Sequence, residues 1–290
     1  MEPQPVLLSA KGGFDGERWA IAGDTQCPFH FPPAVAVAAD VIRSFAPHHV
    51  VFNGDMTDFW RISRHAKRNT ELRRKLTLQD EIDISITVQD RLRGSFPTIM
   101  VDGNHEEMWD RFLGVGPSSE LGSLRSLGIE EVMGLRKRGF TAYLPYREGV
   151  SPTRSLFVYH GTCVLTTPGQ SVQAEVRKLG KSVIMNHVHR RAHVRYQVGP
   201  HDLLGIENGC LCQFNPSYAG QTNWSHAITL VTVRDENHYT AEVVDLVSDT
   251  DNNELFAWFN GVKFSAPLDY TDGLAIPWRA AQGESYLQSA

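Results

Sequence analysis

The chain has 290 residues, of which 41% are hydrophobic and 21% are charged, and its formal net charge at pH 7 is −5. This composition is typical of a globular protein with a sizeable core, and the negative charge argues against a basic protein that coats nucleic acid. The chain starts without a basic segment, and no apolar run approaches the length of a membrane span. We therefore expect a cytoplasmic protein that is not embedded in a membrane.

Apolar runs and helix-compatible stretches alternate along the first two thirds of the chain. Strands are predicted at 17–22, 48–52, 97–102, 154–160 and 181–185. Helices are predicted at 33–46, 69–94 and 168–179. Pro32 and Pro33 fit the first turn of the first of these helices. The alternation favours a β-α-β core with largely parallel strands.

The pattern changes after His189, where strands follow one another without helices between them. They are predicted at 191–198, 202–207, 225–234 and 238–246, and Asp235-Glu236-Asn237 suits a hairpin turn. The last forty residues are rich in aromatic side chains, namely Trp258, Phe259, Phe264 and Trp278. We predict one domain over residues 1–248, followed by a C-terminal extension over 249–290 that packs on the domain or on a partner.

The four cysteines do not form an evident disulfide pattern. Cys210 and Cys212 are too closely spaced for an ordinary internal disulfide or zinc pair, and the other two are Cys27 and Cys163. We interpret all four as reduced thiols.

Five polar segments lie at or near the ends of apolar runs. They are Asp24-Thr25-Gln26, Gly54-Asp55-Met56-Thr57-Asp58, Gly103-Asn104-His105-Glu106, His160-Gly161 and Asn186-His187-Val188-His189. Two divalent cations about 3.5–4 Å apart need oxygen and imidazole ligands, with one carboxylate that bridges them. The five segments supply such a set, and the carboxyl ends of strands are where α/β sheets carry their sites.

These motifs resemble those of the calcineurin-like, or binuclear, metallophosphoesterases. The resemblance runs from Asp24 to His189, and the D-x-Q first motif is similar to that of phage-associated and bacterial members of poorly defined substrate. It implies an α/β fold, a four-layer α/β/β/α sandwich with two mixed β-sheets. It also implies two divalent metal ions, with Mn²⁺ favoured and Fe, Zn²⁺ and Mg²⁺ left open.

The resemblance assigns a role to each motif residue. Asp55 would bridge the metals, His105 would be the catalytic acid, and Asp58 would orient a ligand by hydrogen bonding. Asp102 or Glu106 would hold the imidazole of His105, which places Glu106 in the catalytic set. One metal would be held by Asp24, Gln26 and His189, and the other by Asn104, His160 and His187.

Three departures from the family pattern bear on the site. Gln26 stands where many members have His, which predicts a weaker or differently selective first metal position. Asn186 stands where Gly is usual, and Asn also tolerates left-handed backbone. Phe59 and Trp60 follow Asp58 where the protein Ser/Thr phosphatases have Arg-Gly, and Asp58 stands where purple acid phosphatases have an iron-binding Tyr. Both observations argue against those branches.

A basic insertion of predicted helical character spans 59–95. Its cationic residues are Arg61, Arg64, Lys67, Arg68, Arg73, Arg74 and Lys75. One interpretation is a rim that grips phosphate, with Phe59 or Trp60 stacking on a nucleobase and Arg64 and His65 nearby. The alternative is a solvated helix face whose charges pair with Asp80, Glu81 and Asp83. The sequence leaves both open.

The predicted activity is hydrolysis of phosphodiester bonds in nucleotides or nucleic acid, by a hydroxide that bridges the two metals. A phosphomonoesterase, a pyrophosphatase of the nucleoside-diphosphate type and a catalytically silent binding scaffold are the alternatives, and a homo-oligomer is left open. Arg190, Arg191 and His193 are weaker candidates for the entrance of the site. Trp224 is interpreted as core or interface material.

Overall fold

The computed structural model describes residues 5–6, 16–63, 70–114, 120–198, 201–214 and 222–277. Within them the helices are α1 (Pro32–Phe45), α2 (Thr70–Lys75), α3 (Leu78–Arg93), α4 (Asn104–Gly114), α5 (Ile129–Val132) and α6 (Gln170–Leu179). The strands are β1 (Pro5–Val6), β2 (Glu17–Ala22), β3 (His49–Asn53), β4 (Thr98–Val101), β5 (Phe140–Leu144), β6 (Gly149–Val150), β7 (Leu156–Tyr159), β8 (Ser182–Met185), β9 (Arg191–Val198), β10 (His201–Asn208), β11 (His226–Val233), β12 (Tyr239–Asp249), β13 (Glu254–Phe259) and β14 (Val262–Pro267).

Two mixed β-sheets form the centre of the described structure. The larger has eight strands in the order β14-β13-β12-β11-β2-β3-β4-β5, and β2 to β5 run parallel within it. The smaller has six strands in the order β1-β6-β7-β8-β10-β9, in which β7, β8 and β10 are parallel. Among the described residues, the strands from β9 onward follow one another without a helix, as the sequence predicts, and β11 and β12 form the expected hairpin.

The strands bury both of their faces, because each sheet packs on the other and on helices. Trp19 and Ile21 of β2 point between the two sheets, where they join residues of β7 and β8 such as Val158 and Ile184. Alternate residues of β2 point to the opposite face and pack beneath α1. A third apolar cluster lies between the smaller sheet and α6. The predicted four-layer α/β/β/α sandwich is therefore confirmed.

The helical region predicted at 69–94 divides into α2 and α3. Thr77 forms the break, because its hydroxyl accepts a hydrogen bond from the Asp80 N–H at 3.1 Å while the Asp80 carboxylate accepts one from the Thr77 N–H at 2.7 Å. This reciprocal pair satisfies backbone donors that a helix start would otherwise leave free, so α3 begins at Leu78. Residues 64–69 of the insertion lie outside the described residues.

The C-terminal stretch is built into the larger sheet. β13 pairs with β12 and β14 pairs with β13, and Leu255, Ala257 and Phe259 belong to the apolar cluster that contains α1. No break in the sheet falls at residue 248. Residues 278–290, including Trp278, lie outside the described residues.

None of the helices in the described ranges combines the length and the apolar character that crossing a membrane requires.

Candidate metal centre

The five polar segments meet where strands of the two sheets end. Asp24 follows β2, Asp55 follows β3 and Asn104 follows β4, while His160 follows β7 and His187 follows β8. The strands β2, β3 and β4 run parallel within the larger sheet, so their carboxyl ends lie at the same edge. The sandwich brings the loops of the smaller sheet against that edge. Side chains up to 163 residues apart in sequence therefore come into contact.

Asp55 lies at the centre of this cluster. Its Oδ2 atom is 3.4 Å from His160 Nε2 and accepts a hydrogen bond from Gln26 Nε2 at 3.0 Å. Asn104 Oδ1 lies 3.2 Å from the same His160 Nε2. On the other side, Asp24 Oδ1 lies 3.6 Å from His189 Nε2.

Two groups of possible metal ligands share Asp55. One consists of Asp55, His160 and His187, and the other of Asp24, Asp55 and His189, with the ligand atoms of each group within 4.8 Å of one another. The shared carboxylate is what a bridged pair of cations requires. The grouping agrees with the roles that the motifs imply, in which His160 and His187 serve one position and Asp24 and His189 serve the other.

Unpartnered buried atoms fit the same interpretation. Asp24 Oδ1 and Gln26 Oε1 are buried and have no hydrogen-bond partner in the described part of the chain. A buried polar atom without a partner lowers the stability of the fold unless something else binds it. A divalent cation binds both carboxylate and amide oxygens. The donor set thus fits a binuclear metal site.

The ligand loops pass so close together that a side chain on either of two glycines would collide with the cluster. A Cβ atom on Gly103 would lie 2.0 Å from Asp55 Oδ1, and one on Gly54 would lie 2.3 Å from His160 Nδ1. Gly54 also has a φ of +88°, which L side chains rarely adopt. These two glycines therefore allow the residues that follow β3, β4 and β7 to approach one another closely.

Backbone and side-chain partners fix the orientation of the histidines. His160 donates from Nδ1 to the carbonyl of Asn53 at 2.8 Å, which leaves Nε2 as the acceptor atom that faces the cluster. His189 presents Nε2 to Asp24, and its Nδ1 lies 3.8 Å from Cys212 Sγ. The backbone N–H of His187 donates to Asp24 Oδ2 at 2.9 Å.

An amide network explains the departure at Asn186. Its Oδ1 atom accepts from Asn53 Nδ2 at 3.0 Å and from Asn208 Nδ2 at 3.2 Å, and its Nδ2 donates to the Gly209 carbonyl. A Cβ atom on Gly23 would lie 2.8 Å from this side chain, so the glycine at the end of β2 makes room for it. The network ties together the ends of β3, β8 and β10.

Charge is unevenly shared within the cluster. Burial raises the pKa of Asp24 well above its ordinary value, whereas in Asp55 the positive charges of His160 and His105 outweigh burial and lower the pKa. In His160 the negative charge of Asp55 outweighs burial and raises the pKa to about 10. Burial and the His160 charge lower the pKa of His187 to about 4. Protons therefore occupy the cluster when cations do not, so metal binding competes with protons.

His105 lies beside the cluster with its ring partly exposed. Its backbone N–H donates to Asp55 Oδ1 at 2.9 Å, and its Nδ1 donates to the carbonyl of Asp58 at 2.7 Å. Although burial lowers its pKa, the charges of Asp55 and Asp58 raise it to about 9. The imidazole is thus held in its protonated form, and Nε2 lies 3.9 Å from Asp55 Oδ2. A protonated, partly exposed imidazole can donate a proton to a leaving group.

The residues expected to orient His105 have other partners. Asp102 accepts a hydrogen bond from the Tyr143 hydroxyl. The Glu106 carboxylate accepts four backbone N–H groups, from Asp55, Met56, Thr57 and Gly103, at 2.8–3.1 Å. Glu106 therefore braces the loop after β3, and Asp58 is the hydrogen-bond partner of the His105 imidazole.

The aromatic pair after Asp58 is not available to substrate in this structure. Phe59 is fully buried against Trp109, and Trp60 is 3% exposed and packs with Phe29, Leu72 and Leu76. The prediction that one of them stacks on a nucleobase is therefore wrong, because both rings already serve to pack the insertion on the domain. Arg64 and His65 lie outside the described residues.

Two of the suggested entrance residues form other contacts. The Arg190 guanidinium is buried and donates to the carbonyls of Leu165 and Thr166. Arg191 forms an ion pair with Asp245 at 2.9 Å. Arg73 and Arg74 of the basic insertion are exposed, and both interpretations of that surface remain predictions.

Sequence reasoning missed several residues at the centre. Asn53 carries no motif signal although it ends β3, and Asn208, which ends β10, was given no role in the site. Cys212 and Trp224 lie in the β-rich part of the chain, where no motif marks them. Each was detectable only as a polar or aromatic residue between predicted strands.

Comparison with known proteins agrees with the motifs and the fold. The sequence profile of the calcineurin-like phosphoesterases matches residues 18–216. The chain therefore belongs to the calcineurin-like phosphoesterase family. No curated protein sequence matches it.

Solved structures that resemble the chain include two Vps29 proteins. Vps29 from Chaetomium thermophilum is 14% identical, with a TM-score of 0.43, and the match covers 87% of this chain and 98% of that one. A single mutant of Vps29 from Entamoeba histolytica is 12% identical, with a TM-score of 0.38, and the match covers 88% and 99% of the two chains.

Proposed function

We propose that this protein is a metal-dependent phosphodiesterase that hydrolyses phosphodiester bonds of nucleotides or nucleic acid. The observation that carries the proposal is the double ligand group that shares Asp55, with buried unpartnered oxygens on Asp24 and Gln26. Two divalent cations bound there, with Mn²⁺ favoured, would offset the phosphoryl charge and lower the pKa of a bound water toward about 7. The ligands would be Asp24, Gln26, Asp55, Asn104, His160, His187 and His189.

His105 would protonate the departing alkoxide. Its ring is held at Nδ1 by the Asp58 carbonyl, so Nε2 carries the proton that can be given away. The charges of Asp55 and Asp58 raise the pKa of this imidazole although burial lowers it. Asp58 is thus a positioning residue for the acid.

The partners of the two central carboxylates favour a diester over a monoester. A phosphomonoester carries two negative charges and calls for additional cationic side chains deep in the pocket. In the described part of the chain, Asp24 and Asp55 lie 3.4–4.0 Å from histidine nitrogens, and Arg190 donates to backbone carbonyls and does not face the two carboxylates. A substrate with a single negative charge fits this arrangement better.

The test compares bis(p-nitrophenyl) phosphate with p-nitrophenyl phosphate, in Mn²⁺ and after chelation. Asp55→Asn is the control variant, because it removes the charge of the shared ligand and keeps its size. We expect metal-dependent cleavage of the diester that exceeds cleavage of the monoester and is lost in Asp55→Asn.

The other outcomes identify other functions. A preference for the monoester would make the protein a phosphomonoesterase. Bound metal without activity on either ester, together with release of phosphate from a nucleoside diphosphate compound, would indicate a pyrophosphatase. Metal content near zero with no hydrolysis would indicate a binding scaffold.

A further inference from the structure

Two half-buried aromatic rings lie against the ligand histidines. The Trp224 ring is 4.2 Å from the His189 ring, with an interplanar angle of 68°. The Tyr146 ring is 6.1 Å from the His160 ring, with an angle of 66°. His189 and His160 belong to different groups of metal ligands, so each half of the centre has one aromatic neighbour.

The two rings differ in what else they contact. The Tyr146 hydroxyl donates to the Gly161 carbonyl at 3.3 Å, and the Arg147 guanidinium lies 5.4 Å from the centre of its ring. Trp224 has one ring contact among the described residues, the edge-to-face contact with His189. Such a contact uses at most one face of the indole, so the other face is free of that neighbour.

The backbone beside Trp224 is anchored next to the proposed ligand His189. The N–H of Ser225 donates to the carbonyl of His189 at 2.9 Å, and the carbonyl of Ser225 accepts from the N–H of Cys210 at 2.9 Å. These two bonds fix the residue next to Trp224 to the ligand loop itself. Because this backbone is already ordered, its freedom is not an added cost when a flat group stacks on the neighbouring indole.

Resting on the proposed function, we propose that Trp224 is the base-stacking residue of the substrate site and selects phosphodiesters that carry a nucleoside. The metal centre would bind the phosphoryl group, and the nucleobase would lie on the indole face that does not contact His189. Every base has such a face, so the contact favours nucleosides over alkyl groups without a strong preference among bases. This takes the place of the stacking role that the sequence assigned to Phe59 or Trp60.

The test uses two diesters that release the same leaving group. The p-nitrophenyl ester of thymidine 5′-monophosphate carries a base, and methyl p-nitrophenyl phosphate does not. In Trp224→Ala we expect kcat/KM for the thymidine ester to fall about 5- to 150-fold, which is the range of base stacking. The methyl ester should change less than about 2-fold, and Trp224→Phe should recover part of the loss.

Two control variants separate stacking from general damage. Trp258→Ala removes an exposed tryptophan of β13, and Tyr146→Phe removes the hydroxyl that is tied to Gly161. Neither should alter the ratio between the two esters. An equal loss on both esters in Trp224→Ala would overturn the proposal and make the indole a support for His189. Wild-type kcat/KM on both esters in Trp224→Ala would overturn it as well.

A binding measurement keeps the result independent of turnover. Thymidine 5′-monophosphate is titrated into wild type and Trp224→Ala, both loaded with Mn²⁺, by calorimetry. Weaker binding in the variant supports the proposal even if neither ester is hydrolysed, in which case only the proposed function has failed. Equal binding by the two proteins overturns the stacking role.

Discussion

Left-handed backbone is concentrated on the proposed ligands. Positive φ angles between 50° and 72° occur at Asp24, Gln26, Asp55, His187 and His189. For residues other than glycine this conformation typically costs about 1–3 kcal/mol, and it persists only where the surroundings hold it. At the scale of the residue, the site is therefore maintained against local preference by the loops and strands around it.

His105 provides the sharpest test at this scale. In His105→Ala we expect the rate on a diester with an alkyl leaving group to fall about 10²- to 10⁴-fold, because no proton is supplied to the alkoxide. The loss should be smaller on p-nitrophenyl esters, whose leaving group is stable without a proton. A full rate on the alkyl ester would contradict the role of His105 as the proton donor. The metal content of the variant is measured in parallel, so that a lower rate caused by loss of bound metal is recognised.

Glu81 of α3 predicts a pH dependence of stability. It is fully buried, and burial together with the charge of Asp58 raises its pKa to about 8, from an ordinary value of 4.5. Between these values the folded state binds more protons than the unfolded state, so the free energy of unfolding falls as the pH rises from 4.5 to 8.

In Glu81→Gln, the decrease in the free energy of unfolding with rising pH should be smaller than in wild type by about 2–4 kcal/mol. The measurement is urea unfolding at pH 5 and pH 9 in the presence of a chelator. The backbone N–H of Arg61, which donates to Glu81 at 2.8 Å, keeps an acceptor in this variant. The exposed Glu242→Gln is the matched control and should leave the pH profile unchanged. Parallel profiles for wild type and Glu81→Gln would refute the prediction.

At the scale of the element, the N-terminal turn of α4 supports the loop that follows β3. Glu106 binds the backbone N–H groups of three consecutive loop residues, beginning with Asp55, and that of Gly103. This single carboxylate fixes the position of the shared ligand. The loop has no regular secondary structure of its own to satisfy these donors.

Glu106→Gln should therefore destabilise the protein by about 2–4 kcal/mol, because the amide NH₂ faces donors where an acceptor is needed. Metal affinity should fall with it, since the Asp55 loop is released. The control is Glu107→Gln on the same helix, whose carboxylate pairs with Arg111 at the surface and contributes at most about 1 kcal/mol. Similar effects of the two variants, by thermal unfolding and metal titration, would contradict this account.

At the scale of the whole molecule, the C-terminal stretch reaches back to the first ligand loop. The buried His30 ring lies 2.7 Å from the Asp272 carboxylate, and the N–H of Ile276 donates to the Pro28 carbonyl at 2.8 Å. Although burial raises the pKa of Asp272, the hydrogen bond and charge of His30 lower it well below its usual range. The ionised Asp272 carboxylate in this contact therefore adds stability at neutral pH that is lost as the medium becomes strongly acidic.

Asp272→Asn should lower the free energy of unfolding by about 2–4 kcal/mol at pH 7, because it leaves a buried imidazole without its charged partner. It should also weaken metal binding, since the tie holds residues 28–30 just after Gln26. The exposed Asp251→Asn should change neither quantity. If denaturation and metal titration give wild-type values for Asp272→Asn, the C-terminal stretch does not support the site.

The sequence by itself determined the strand and helix alternation and the residues proposed as metal ligands, because apolar runs and short polar motifs are local patterns. Motif order identified Asp24, Asp55 and His160 as partners although they lie far apart in the chain. The break between α2 and α3 was also local, since Thr77 and Asp80 form a capping box, but it was overlooked within a basic stretch.

Only the tertiary structure decided which residues surround the ligands. Phe59 and Trp60 are buried and Trp224 stands beside His189, because the exposure of an aromatic ring depends on what packs against it from distant parts of the chain. Glu106 serves the loop and not His105 for the same reason. Periodicity reports which face of an element is apolar, whereas the partner of a single polar side chain depends on how the two sheets meet.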